Sequence, residues 1–115
     1  MANKSKQYPE TNEDVPLQRR DERVARIVLS VAGRDKNRYF VICGVIDEKF
    51  VLIADGKLRH IENPKKKKTM HLRFMGYAGD EMREKIYSGR ATDNMLRKVI
   101  EQYVAASDGD ETYTT

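Results

Sequence analysis

The chain has 115 residues, 39% of them hydrophobic and 35% charged, which is enough for one small core and too little for two. No run approaches the roughly 20 apolar residues of a membrane-spanning helix, and the N-terminal MANKSKQYPETNED has no apolar signal core. The single cysteine, Cys43, excludes an internal disulfide and a thiolate metal site, and its apolar surroundings predict a reduced, buried thiol. Together these features predict a soluble, cytoplasmic protein. The formal net charge of +4 conceals an asymmetry. Residues 1–23 are neutral overall, residues 24–75 carry twelve basic and five acidic side chains, and residues 76–115 carry five basic and eight acidic ones. A cationic middle flanked by neutral and acidic ends attracts polyanions, nucleic acid first.

Residues 1–23 read as a flexible arm, with Pro9 and Pro16 and no amphipathic period. Residues 24–75 read as β-structure. Ala25–Val31 and Arg38–Ile46 are rich in β-branched side chains, and Phe50–Ala54 follows a polar break at 47–49. Asp55-Gly56 is a strong hairpin signal, so Lys57–Ile61 is expected to return as a fourth strand. Asn63-Pro64 and a lysine run then form an extended, mobile loop before Thr69–Met75. There Met70, Leu72 and Phe74 alternate with Thr69, His71 and Arg73. Five short strands in about 50 residues predict a small five-stranded barrel.

With a three-residue loop at 47–49 and a two-residue turn at 55–56, one face collects Val41, Cys43, Val45, Val51, Ile53, Leu58 and His60 as the interior. The other face, with Ile42, Ile46, Phe50, Leu52, Ile61, Lys57 and Arg59, is too apolar to stay wet. Residues 76–106 switch to a helical period. Gly79–Tyr87 stops at Ser88-Gly89, and Thr92 or Asp93 caps a second helix with the stripe Met95, Leu96, Val99, Ile100 and Tyr103. Both helices are expected to pack on the outer face of the barrel. Residues 107–115 read as a disordered acidic tail.

No arrangement of residues suggests catalysis, a metal site or a cofactor. His60 and His71 have no acidic partner at a ligand spacing, and no phosphate-binding glycine loop is present. The basic loops carry more information. In Gly33-Arg34-Asp35-Lys36-Asn37-Arg38, Gly33 and Asn37 tolerate φ > 0, so a tight turn projects three cations, and Asp35 is expected to accept from a backbone amide. Arginine there can grip a phosphate bidentately. Lys65, Lys66, Lys67 and Lys68 form a second cationic segment that cannot all face one way. A solvated hairpin tip and a solubilising loop explain these segments equally well one at a time. Both segments are expected along one rim, flanked by Lys57, Arg59, His71 and Arg73.

Residues 24–75 carry a family resemblance. VLSVAGRDKNRYFVICGVIDEKFVLIADGKLRHIENPKKKKTMHL, with YSGRATDNMLRKVI beyond it, resembles KOW-domain RNA-binding proteins. It is similar to the short bacterial relatives of an archaeal and eukaryotic large-subunit ribosomal protein family. The resemblance implies an SH3-like barrel, no catalytic activity, and binding to structured, ribosomal RNA at or near ribosomal proteins. Gly33, Arg34, Asp35, Lys36 and Arg38 match the family's basic turn and Lys65–Lys68 its basic loop. Asn37 stands where relatives commonly carry glycine. The alternative is a protein-interaction module of a transcription or translation complex, with the barrel or the helices touching a protein partner.

Overall fold

The computed structural model of the chain describes residues 21–111, and side chains through Ser107. Residues 1–20 of the expected arm and residues 112–115 of the expected tail lie outside the described residues. The chain is mainly β, with strands β1 (Arg26–Ser30), β2 (Tyr39–Val45), β3 (Phe50–Ala54), β4 (Lys65–Lys68) and β5 (Leu72–Tyr77). Helices α1 (Asp80–Tyr87) and α2 (Asp93–Glu111) follow. The strands form one antiparallel sheet in the order β4-β3-β2-β1-β5.

That order puts β4 and β5 on opposite edges, although only the 3-10 segment Thr69–His71 separates them along the chain. In a flat five-stranded sheet the edges lie roughly 19 Å apart, at about 4.8 Å per gap. Four residue steps reach about 14 Å even when fully extended. The sheet therefore curls until its edges approach, but β4 and β5 share no ladder, so the curl is not closed.

Curling divides the apolar side chains in two. Val28, Phe40, Ile42, Val51, Ile53 and Leu72 pack inside the curl. Val24, Ala25, Ile27, Val41 and Ala54 pack outward against Met82, Ile86 and Tyr87 of α1 and Leu96 of α2. Val51 and Ile53 thus face inward as expected, half-buried Val45 touches both clusters, and Val41 and Cys43 face the helices. The reason is a β-bulge in β2. Ile42 pairs with Ile53 and Val45 with Val51, but Gly44 pairs with Leu52, which leaves Cys43 as the extra residue. One inserted residue reverses the facing of everything before it. Ile42, expected outside, is fully buried inside.

The expected strand at Lys57–Ile61 does not form. The Asp55 carboxylate (Oδ1) accepts the backbone N–H groups of Lys57, Leu58 and Arg59 at 2.9, 3.0 and 2.8 Å. The N–H groups of Asp55 and Gly56 both donate to the Arg59 carbonyl. The loop is folded on that carboxylate, and β3 takes the lysine strand β4 as its neighbour instead. Leu58 is 64% exposed and His60 is also exposed, so neither belongs to an interior. Asp-Gly signals an Asx-stabilised loop as readily as a hairpin.

The helices lie on the outer face of the sheet, as expected. Asp80 and Glu81 open α1, and Gly89, at φ 74°, ends it beyond Ser88. The Thr92 hydroxyl caps α2 by accepting the Met95 N–H at 3.2 Å. Leu96 is fully buried, with Met95, Val99, Ile100 and Tyr103 packed beside it. The Tyr103 ring lies 5.9 Å from that of Tyr39, and its hydroxyl donates to the Met75 carbonyl at 3.2 Å. α2 continues to Glu111, past Ala106, so residues 107–111 are helical rather than part of a disordered tail. The fold also starts before Val24. Tyr87 donates its hydroxyl to the Asp21 carbonyl, and Arg83 donates to the carbonyls of Glu22 and Val24. Residues 21–23 are therefore docked rather than part of a free arm. Among the described residues no helix is long and apolar enough to cross a membrane.

Candidate nucleic-acid interface

The basic turn has the backbone its residues predict. Gly33 and Asn37 adopt φ 88° and 72°. The Asn37 N–H donates to the Ser30 carbonyl at 2.7 Å, and the Ser30 N–H donates to the Arg38 carbonyl at 2.9 Å, which locks the turn onto the end of β1. Arg34 and Lys36 project into solvent and Arg38 is half-buried.

Asp35 sits differently. It is 8% exposed, and its carboxylate takes no backbone amide. It accepts instead from the Ser30 hydroxyl at 2.6 Å, from Lys67 Nζ at 2.8 Å and from Lys65 Nζ at 2.9 Å. Lys67 Nζ also donates to the Ala32 carbonyl at 2.8 Å. The cause lies in β4. Lys65 and Lys67 stand opposite Ile53 and Val51, on the inward face, while Lys66 and Lys68 stand opposite Leu52 and Phe50. An ammonium on the inward face needs a carboxylate, and Asp35 supplies it from the turn. Burial works to raise the Asp35 carboxyl, but the hydrogen bonds from Lys67, Ser30 and Lys65 prevail and hold it far below the usual carboxylate range.

The expected lysine loop is therefore a strand with two roles. Lys67, 7% exposed, and half-buried Lys65 hold the turn, while Lys66 and Lys68 face solvent. Lys66 Nζ lies 4.5 Å from the centroid of the Phe50 ring. The turn and β4 are thus joined through Asp35, with Arg34, Lys36, Lys66 and Lys68 as the exposed cations. His71 approaches through its backbone, whose carbonyl accepts from the Val31 N–H at 2.9 Å. Arg73 lies farther along, on β5 opposite Leu29. Arg59 is turned back on its own loop toward the Asn63 carbonyl.

Lys57 meets the turn by another route, a surface groove of about 270 Å³ between the Asp55 loop, the start of β2 and α2. Arg38, Tyr39 and Lys57 line it from the sheet side, and Arg97, Ile100 and Glu101 from the helix. The α2 wall is pinned by polar contacts that residue patterns did not reveal. Asp93 accepts from the Ile61 N–H and binds His60 Nδ1, both at 2.8 Å. Those two contacts, Ile61 first, hold the Asp93 carboxyl below its usual range. Arg97 donates to the Gly56 carbonyl. A loop carboxylate and a helix-start carboxylate look like routine turn and cap residues in sequence, and their long-range partners carry no periodic signal.

On β5, the guanidinium carbons of Arg26 and Arg83 lie 5.4 and 4.9 Å from the centroid of the Tyr77 ring. Among the described residues no group of three His, Cys, Asp or Glu side chains is placed to hold a metal ion. No family model matches the chain, and no curated protein is significantly similar to it.

Proposed function

We propose that this chain is a non-catalytic RNA-binding protein that docks the 33–38 turn and the outward face of β4 on the backbone of structured RNA. The reading includes the KOW resemblance, with the curled sheet as a small SH3-like barrel, ribosomal RNA as the target and the cytoplasm as its place of work. The observation that supports it is the Asp35 tie, which holds two cationic segments about 30 residues apart against each other. Asp35 offsets part of the charge of Lys65 and Lys67, so four exposed cations lead the contact: Arg34, Lys36, Lys66 and Lys68. Recognition of this kind follows RNA shape more than base sequence.

The test is fluorescence anisotropy with a structured ribosomal RNA fragment across a salt series. Neutralising about four phosphates lowers affinity roughly a hundredfold between 50 and 200 mM salt. The double charge reversal Lys66→Glu/Lys68→Glu is expected to flatten that slope and weaken binding to every structured RNA tried. A flat salt response in the unaltered protein would overturn the proposal.

A second reading is a protein-interaction module. It draws on β5, whose outer edge has no strand neighbour among the described residues and bears exposed Phe74 and Tyr77, with Met70 just before it. Ribosomal association that persists after ribonuclease treatment would favour it.

A further inference from the structure

The groove beside Arg38 has more chemical definition than backbone docking requires. Its volume, about 270 Å³, lies just below the usual range for small-ligand sites, which leaves room for a base with its phosphate at the open rim. Tyr39 and Ile100 supply apolar surface on its two sides. Its polar groups divide into spent and available ones. Oδ1 of Asp55 is saturated by three backbone N–H groups. Arg97 is committed to the Gly56 carbonyl and to Asn94. Arg38 is held loosely, with its guanidinium 3.7 Å from Asp55. Lys57 Nζ and the Glu101 carboxylate have no side-chain partner among the described residues.

We propose that this groove takes a guanine nucleotide, specifically an unpaired guanine of the bound RNA. A free carboxylate beside an apolar wall selects a base edge with two adjacent donors. Guanine has them, at its ring N–H and exocyclic amine, whereas adenine, cytosine and uracil do not. Glu101 accepts both protons, the base lies against Tyr39 and Ile100, and Lys57 and Arg38 take the phosphate. Arg38 ends the turn that carries Arg34 and Lys36, so an RNA strand lying on that turn runs on toward the groove. The inference rests on the RNA-binding reading for the source of the nucleotide and not for the pocket itself.

Nuclear magnetic resonance titration of the full chain with GMP, AMP, CMP and UMP tests the pocket. GMP is expected to shift the Ile100 methyl and Tyr39 ring signals and to bind about tenfold more tightly than AMP. Glu101→Gln is expected to abolish that preference, and Lys57→Ala to weaken all four nucleotides alike. Both positions are exposed, so unchanged spectra elsewhere verify the fold. Equal response to all four nucleotides, no response, or a preference that survives Glu101→Gln would overturn the proposal.

A second arm compares one RNA hairpin carrying either an unpaired G or an unpaired A. The G hairpin is expected to bind more tightly, and Glu101→Gln to remove the difference. GMP selectivity without hairpin selectivity would overturn the assignment to RNA. Salt-dependent hairpin binding with no GMP response would defeat this inference and leave the docking reading intact. A GMP response with hairpin binding unmoved by Lys66→Glu/Lys68→Glu would do the reverse.

Discussion

Lys67 stands opposite Val51 on the inward face of β4, and its ammonium ends 2.8 Å from the Asp35 carboxylate of the basic turn. A residue type that normally lives in solvent is here almost fully buried and serves as a fastener. Removing one partner leaves the other charge buried and under-compensated, which costs about 3–5 kcal/mol. Asp35→Asn is expected to lower unfolding free energy by that order in urea titrations. Lys66→Ala, on the outward face of the same strand, is expected to change it by less than about 1 kcal/mol.

The same tie sets an acid limit. The folded-state pKa of Asp35 lies below its unfolded value, so its contribution is complete above about pH 4 and fades as pH falls further. Asp21 and Asp93 are shifted in the same direction and add to the trend. Thermal unfolding followed from pH 6 down to pH 2 is expected to show a nearly level Tm to about pH 4 and a falling one below it. In Asp35→Asn the profile is expected to be shallower.

Gly56 and Gly89 separate two costs of replacing glycine. Both have positive φ, 76° and 74°, but a Cβ at Gly89 meets open space while one at Gly56 runs into the Asp93 carbonyl of α2. Gly89→Ala is expected to cost about 1 kcal/mol from backbone conformation alone. Gly56→Ala is expected to cost clearly more and to speed amide exchange in the first turns of α2, measured by hydrogen exchange.

At Asn37, with φ 72°, Asn37→Gly is expected to be neutral or slightly stabilising. Asn37→Val places a β-branched side chain in the left-handed region, and a loss of about 1–2 kcal/mol is expected in denaturant titration.

Cys43 gives a chemical readout of the bulge. The residue is half-buried rather than fully buried, the burial of its thiol pushes it up to about 12, and its Sγ lies 3.6 Å from the Leu52 carbonyl. Alkylation by iodoacetamide at pH 8 is expected to be very slow in the native protein and rapid in denaturant. Native labelling as fast as that in denaturant would show that the fold does not hold the thiol back.

Much of this architecture is legible in residue patterns. β3 has the expected bounds, β1 and β2 lie within a residue of theirs, and both helices start near their expected positions because alternation and caps are local signals. Three features are not legible, each for a physical reason. The bulge at Cys43 is an extra residue, and alternation alone cannot show where a ladder slips. The Asp55 carboxylate turns an apparent hairpin into a self-bonded loop. The lysine run hides a strand because its inward side chains find a carboxylate rather than a hydrocarbon neighbour. At the candidate interface, Gly33 and Asn37 declare the turn, but the division of labour among Lys65–Lys68 depends on a partner 30 positions away. The groove depends on α2, which supplies three of its seven lining residues from beyond the basic segment.

The Thr69–His71 link has a mechanical consequence. Because one short span serves both flanks of the sheet, it works as a hasp whose length sets the diameter of the curl. A few inserted glycines would delete no side chain, yet they would free the rims to part and admit water around Val28, Phe40 and Ile53. Stiffness at this one joint thus governs how firmly the whole scaffold keeps its curvature.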